Sequence, residues 1–125
     1  MKNFNLFKDL IILDIANNHF GDTKHCKNII DQYSKTIKKN KLKCAFKFQF
    51  RDLDSFIHKK ERILKNNSYT NRFLSTRLEF EKFNLLRKYI KSKNHLAACT
   101  PFDEKSVDYI EKYKFDYLKI ASASA

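Results

Sequence analysis

Short runs of consecutive apolar residues alternate with longer stretches whose apolar residues recur every three or four positions. This alternation constrains the chain more than any other feature of it. Leu10-Ile-Ile-Leu-Asp-Ile15 is a short apolar run holding one acid, the pattern of a strand buried on both faces. Gly21-Asp22 punctuates, and Asp22 stands where a helix cap is needed. Beyond it Cys26, Ile29, Ile30, Tyr33 and Ile37 share one helical face, with most of the lysines of that stretch off it. Leu42 to Phe50 reads as a second strand. Arg51 to about Thr76 is polar with short helical pieces, and far longer than an ordinary strand-to-helix loop, so a rim excursion is expected there. Leu78 to Lys91 is a second strong helix, with Leu78, Leu85, Leu86, Tyr89 and Ile90 on its face. His95 to Thr100 is a third strand, Asp103 to Tyr113 a third helix carrying Val107 and Ile110, and Tyr117 to Ala121 a fourth strand. Pro101 bars a direct strand-to-helix continuation. The order β-α-β-α-β-α-β implies parallel strands joined by right-handed crossovers.

Composition narrows the function classes. With 42% apolar and 32% charged residues in 125, the chain suits one globular domain rather than a disordered tail. The formal net charge is +12, but it is carried by 21 Lys against 5 Arg, beside 11 Asn, 11 Ile and 12 Phe. Those residues share A/T-rich codons, and the bidentate contacts of nucleic-acid recognition come mainly from the scarce arginine, so no nucleic-acid partner is expected. No apolar run approaches the roughly 18 residues of a membrane span. Met1 to Asp9 is polar, and Leu10 to Ile15 is too short for a signal peptide. The expectation is a soluble cytoplasmic protein without membrane contact. Cys26, Cys44 and Cys99 have neither zinc-site nor redox-motif spacing and are expected to be reduced and buried.

Strand phase locates the polar residues. Phe46, Phe48 and Phe50 oppose Ala45, Lys47 and Gln49; Leu118 and Ile120 oppose Lys119 and Ala121; Leu13 and Ile15 oppose Ile12, Asp14 and Ala16. In a (β/α) barrel the bulky face packs under the helices and the other is the interior, whose C-terminal rim carries the active site. Lys47, Lys119, Asp14, Gln49 and Thr100 would converge there, with a positive surplus that suits a phosphorylated or carboxylated ligand. The alternative is that these lysines guard exposed edge strands against aggregation.

Four motifs occur in order with βα spacing: Leu13-Asp-Ile-Ala-Asn-Asn-His-Phe-Gly21, Lys47-Phe-Gln49, Thr100-Pro-Phe-Asp-Glu-Lys-Ser-Val107 and Lys119-Ile-Ala-Ser122. Together they resemble the N-acetylneuraminate (sialic acid) synthase family, whose barrel carries Glu-Ile-Gly-x-Asn-His-x-Gly, Lys-x-Gln, Thr-Pro-Phe and Lys-Ile-Gly-Ser-Gly-Glu. The resemblance spans about Leu10 to Ser124. It implies the first half of a TIM-type (β/α)8 barrel, with residues 1–125 a single partial-barrel domain that stops after the fourth strand. It also implies condensation of phosphoenolpyruvate with an N-acetylated amino sugar such as N-acetylmannosamine. The products would be phosphate and a nine-carbon 2-keto sugar acid. By motif match Lys47, Thr100, Lys119 and Ser122 would hold phosphoenolpyruvate, while Asn18 and Gln49 would orient the sugar or the enolpyruvate. Asp14 and His19 are the catalytic candidates. Arg51, two residues beyond Gln49, is a candidate anion contact, with a solvated surface arginine as the alternative.

The resemblance further implies a divalent metal, manganese or magnesium, and a homodimer in the complete enzyme. The metal-binding histidines, sugar-closing loops and antifreeze-like C-terminal domain belong to the family's second half, so no metal ligands are expected in this chain. Several positions depart from the pattern. Asp14 is one methylene shorter than the usual Glu, Ala16, Ala121 and Ala123 replace glycines, and Ser124 replaces a Glu. The extra methyls disfavour positive φ, and these changes bear on which amino sugar would fit. Two other readings stay open: a non-catalytic half-barrel that self-associates or awaits a second half, and, more remotely, a basic nucleic-acid-binding module. By itself the half-barrel is expected to assemble or dissolve poorly, and to lack synthase activity.

Overall fold

The structure is a computed structural model and describes residues 5–60 and 66–125. Residues 61–65 of the expected rim excursion, and Met1 to Phe4 of the polar opening stretch, lie outside the described residues. The elements follow the expected alternation: β1 (Leu10–Ala16), α1 (Thr23–Lys39), β2 (Lys43–Phe50), α2 (Leu53–Phe56), α3 (Ser68–Ser75), α4 (Phe80–Ser92), β3 (Leu96–Pro101), α5 (Glu104–Tyr113) and β4 (Tyr117–Leu118), then a short 3-10 turn at Ser122–Ser124. The four strands form one parallel sheet in the order β1-β2-β3-β4. That is the first half of a (β/α) barrel.

One face of the sheet is covered by α1, α4 and α5. Phe46, Phe48 and Phe50 on β2 and Ala97 and Cys99 on β3 meet Cys26 and Ile30 of α1, Phe83, Leu86 and Ile90 of α4, and Ile110 of α5. All three cysteines are buried free thiols, and burial pushes Cys26 up to about 12 and Cys44 up to about 11. Asp22 caps α1 as expected, accepting from the Lys24 and His25 amides at 2.8 and 3.2 Å.

Helix faces depart from the expected pattern in detail. Tyr33 on α1, Leu85 on α4 and Val107 on α5 are exposed, whereas Ser34 and Phe83 are buried. The sheet covers a narrower arc of each helix than the apolar residues span, and the buried stripe settles on Cys26, Ile30, Ser34 and Ile37. Ser34 tolerates burial because its Oγ is 2.8 Å from Nε2 of buried His95. The fourth strand is shorter than expected. It pairs Tyr117 and Leu118 with Ala98 and Cys99 of β3, flanked by Asp116 N–H to Ala97 O and Lys119 N–H to Cys99 O, both 2.9 Å.

The opposite face is the inner one. Residues paired across parallel strands point the same way, so the pairs Ile12–Ala45, Asp14–Lys47, Lys47–Ala98, Gln49–Thr100 and Ala98–Tyr117 put these side chains on one face. With only half a barrel present, Ile12, Ala45 and Ala121 would be expected to face water or a partner; Ile12 is exposed, but Ala45 on β2 and Ala121 before the 3-10 turn are buried. Phe7 packs edge-on to Tyr117 at 5.1 Å, and Lys43 Nζ donates to the Leu6 carbonyl at 2.7 Å, so the segment before β1 is held against the sheet.

Both outer strands carry uncovered apolar side chains: Ile11 and Ile12 on β1, and Leu118 with Ile120 just beyond it at β4. Unpaired edges flanked by such residues recruit other chains. A polypeptide of these 125 residues expressed by itself is expected to sediment as a dimer or larger species; a monodisperse monomer across the concentration range would contradict this.

Candidate active site

The inner face carries its charge in the middle of the sheet. Lys47 is 7% exposed, and its ammonium donates to Asp14 Oδ2 at 2.8 Å and to Thr100 Oγ1 at 3.3 Å. An ammonium only donates, so Thr100 Oγ1 is the acceptor and its own hydrogen is free for a ligand oxygen. Both oxygens of Asp14 are engaged, since Oδ1 accepts from the Ala16 amide at 3.1 Å. That bond holds the irregularity in the β1–β2 register between Asp14 and Ala16, a local link that the shorter Asp side chain makes with the backbone two residues on. The Asp14 side chain is 46% exposed against 8% for Lys47, so the cation is much the more sheltered partner. A buried ammonium with one half-hydrated carboxylate is short of compensation and can take a further anionic oxygen.

Lys119 lies just beyond β4, its amide donating to the Cys99 carbonyl at 2.9 Å. Its ammonium is exposed and donates to the Ile120 carbonyl at 3.1 Å, so it is not bonded to the Lys47 cluster. Ser122 opens the 3-10 turn and is exposed. Ala121 adopts an extended backbone, φ −65°, so the glycine it replaces is not missed for its positive φ. Ala16 does adopt φ +47°, and there the departure from glycine leaves backbone strain.

The turn after β1 is wound tightly by Asn18 N–H to Ile15 O, Phe20 N–H to Asn17 O and Asp22 N–H to His19 O, all near 3 Å. It separates neighbouring side chains. Asn17 lines the cleft shared with His19, Gln49, Arg51, Phe73 and Phe83, while Asn18 lines a different groove with Leu13, Ile15, Ile29 and Tyr33. Asn17 thus shares a cleft with Gln49, whereas Asn18 shares its groove with Asp14.

His19 is 2% exposed, and its Nδ1 accepts from the Gly21 amide at 3.0 Å. Burial, and secondarily His25, push it down to about 4. It is therefore a neutral imidazole at physiological pH, with the proton on Nε2. The unfolded chain binds this proton below about 6.5 and the folded chain only near 4, so stability falls as pH drops through that window, by up to about 3 kcal/mol. Urea unfolding followed between pH 7 and 4 is expected to show this fall, reduced in His19→Gln; equal slopes in both chains would contradict it.

Arg51 is not a solvated surface residue. Its guanidinium packs on the rings of Phe102 at 3.8 Å and Phe73 at 4.2 Å, with Phe56 at 5.7 Å, and Nη1 donates to Gln49 Oε1 at 3.2 Å. Burial lowers it to about 10, so it stays charged at neutral pH. The excursion that brings Phe56 and Phe73 there is tied down by Arg77, which pairs with Asp54 at 3.1 and 3.2 Å and with Glu79 at 2.8 Å. Asp103 closes the opposite side by accepting from the Asp52 and Ser106 amides, both at 2.7 Å. Among the described residues no three His, Cys, Asp or Glu side chains gather as a metal site. With Asp14 bonded to Lys47 and His19 Nδ1 bonded to Gly21, this part of the chain does not fit a divalent ion.

A family model for the NeuB family matches residues 36–125. The chain belongs to the NeuB family. An uncharacterized protein of Methanocaldococcus jannaschii is 34% identical over 115 residues, covering 90% of this chain and 30% of its own length. A solved structure from Chromobacterium violaceum, assigned as spore coat polysaccharide biosynthesis protein E, superposes with TM-score 0.88 at 38% identity over 93% of this chain and 34% of that one. The N-acetylneuraminic acid (sialic acid) synthetase of Leptospira borgpetersenii, solved with citrate, gives 0.73 at 25% identity over 92% and 36%. The spore coat polysaccharide biosynthesis protein SpsE of Bacillus subtilis gives 0.63 at 25% over 90% and 29%. The chain thus spans about a third of the length of these relatives. The Lys47 cluster lies on the inner face of the partial barrel that the chain shares with these structures. No helix among the described residues is long and apolar enough to cross a membrane.

Proposed function

We propose that this NeuB-family chain supplies the phosphoenolpyruvate half-site of a synthase that joins phosphoenolpyruvate to an N-acetylated amino sugar. C3 of the enolpyruvate bonds to the sugar's aldehyde carbon, water adds at C2, and the C2–O bond to phosphate breaks. The products are inorganic phosphate and a nine-carbon 2-keto sugar acid. The observation that carries this reading is the buried Lys47 ammonium, held by Asp14 and Thr100 with bonding capacity left for an anion. Thr100 offers a second donor, and Lys119 and Ser122 complete the phosphate and carboxylate contacts once a ligand draws them in. Charge moves onto the departing phosphate, and fixed cations in a sheltered site favour that movement.

His19, neutral and protonated on Nε2, serves as a donor and not as a proton-transferring acid. Asp14 holds Lys47 rather than acting as a base. The divalent ion implied by the family resemblance would draw its ligands from outside these 125 residues, as would the second subunit of a homodimer. The test is an assay of a polypeptide carrying these residues within a complete barrel, supplied with phosphoenolpyruvate, N-acetylmannosamine and manganese. Stoichiometric release of phosphate and a 2-keto sugar acid is expected. Phosphate release without a new C–C bond, or none with any N-acetylated hexosamine, would overturn the reading.

A further inference from the structure

Gln49 and Arg51 lie two residues apart at the C-terminal end of β2, and the contact between them has a fixed chemical sense. A guanidinium carries donors and no acceptor, so the Gln49 atom 3.2 Å from Arg51 Nη1 is its carbonyl oxygen. The carboxamide nitrogen then faces the other way. Among the described residues nothing accepts from it, and it is not sealed from solvent. We propose that Arg51 is a positioning residue that locks Gln49 as an N–H donor toward the inner mouth of the sheet. There Gln49 follows Lys47 on the same face and selects an anionic oxygen over a donating hydroxyl.

Arg51 suits this task because it is not free to bind the ligand itself. Phe102 and Phe73 pack against its guanidinium, and its Nε is buried without a partner. It forms no salt bridge among the described residues; Asp103 lies near enough to favour its charge without bonding to it. The rings come from separate segments, Phe102 after β3 and Phe73 in α3, so placement of the rim excursion and the orientation of Gln49 are one event. The proposal deepens the phosphoenolpyruvate reading and rests on it for the identity of the ligand, but the orientation of Gln49 is measurable without any ligand.

The experiment uses a ¹⁵N-labelled polypeptide carrying these residues within a complete barrel, with the Gln49 side-chain amide as reporter and inorganic phosphate and phosphoenolpyruvate as probes. Arg51→Met keeps length and apolar packing but removes the donor. It is expected to collapse the two Gln49 amide proton shifts toward free-glutamine values and to weaken binding of both probes about tenfold, one hydrogen bond's worth. Arg51→Lys, which keeps a donor without the planar fork, should fall between the two and decides the matter if Arg51→Met does not fold. Gln49→Glu places a carboxylate against Arg51 and is expected to resist urea better than the parent while binding the probes at least tenfold more weakly. Unchanged Gln49 amide shifts in Arg51→Met, or parental probe affinity in Gln49→Glu, would overturn the proposal. If the parent chain binds neither probe, the phosphoenolpyruvate reading fails, and the ligand-free amide shifts still decide the role of Arg51.

Discussion

Gly21→Ala is expected to cost about 3 kcal/mol of folding stability. Two causes add. Gly21 has φ +73°, where an L side chain is strained, and an added Cβ would stand 2.7 Å from the Arg77 carbonyl oxygen. That oxygen is backbone and cannot swing aside. The contact joins the turn after β1 to the segment entering α4, so the substitution also pushes His19 and the excursion apart. Urea unfolding at fixed chain concentration measures the loss; a change under 1 kcal/mol would show that the turn yields. The reverse change at Ala16, φ +47°, has the opposite sign, with Ala16→Gly expected to gain about 1 kcal/mol.

These two residues explain how a fold so poor in glycine manages its turns. Among the described residues, Asp9, Ala16, Phe20, Lys41, Asn94 and Lys114 adopt positive φ without being glycine. Lys41, Asn94 and Lys114 each follow a helix, where glycine is the usual choice. The chain tolerates that strain wherever a side chain has room, and its one glycine stands where a side chain has none.

Lys47→Met is expected to lower kcat/KM for phosphoenolpyruvate at least a hundredfold in a polypeptide carrying the complete barrel. Its folding stability should stay within about 1 kcal/mol of the parent. Methionine fills the same volume beneath the inner face, and the Asp14 carboxylate, already half-exposed, stays hydrated when its partner goes. KM for the amino sugar should barely move. A kcat/KM for phosphoenolpyruvate within threefold of the parent would remove Lys47 from the site, and an unfolded variant would show that its role is structural.

Much of this architecture could be read from residue pattern alone, for a physical reason. Period-2 alternation in β2 separates Phe46, Phe48 and Phe50 from Lys47 and Gln49 whatever the neighbouring strands do, so the inner face was legible before its partners were known. Helix faces were less so. Leu85 and Val107 lie on apolar arcs that the sheet does not fully cover, and Phe83 took the buried position instead. The Arg51 clamp was not legible at all, because Phe56, Phe73 and Phe102 come from three segments whose meeting depends on the path of the excursion. The motif singles out Asn18 of the Asn17-Asn18 pair, and the hydrogen-bonded turn between Ile15 and Asp22 then sends the two side chains to different grooves.

The most direct test of the account is a crystal structure of the protein bound to phosphoenolpyruvate. Ligand oxygens are expected within hydrogen-bonding distance of Lys47 Nζ and Thr100 Oγ1 on the inner face, with Lys119 drawn away from the Ile120 carbonyl toward them. Phosphoenolpyruvate bound on the helix-covered side, or on the inner face without contact to Lys47, would contradict it.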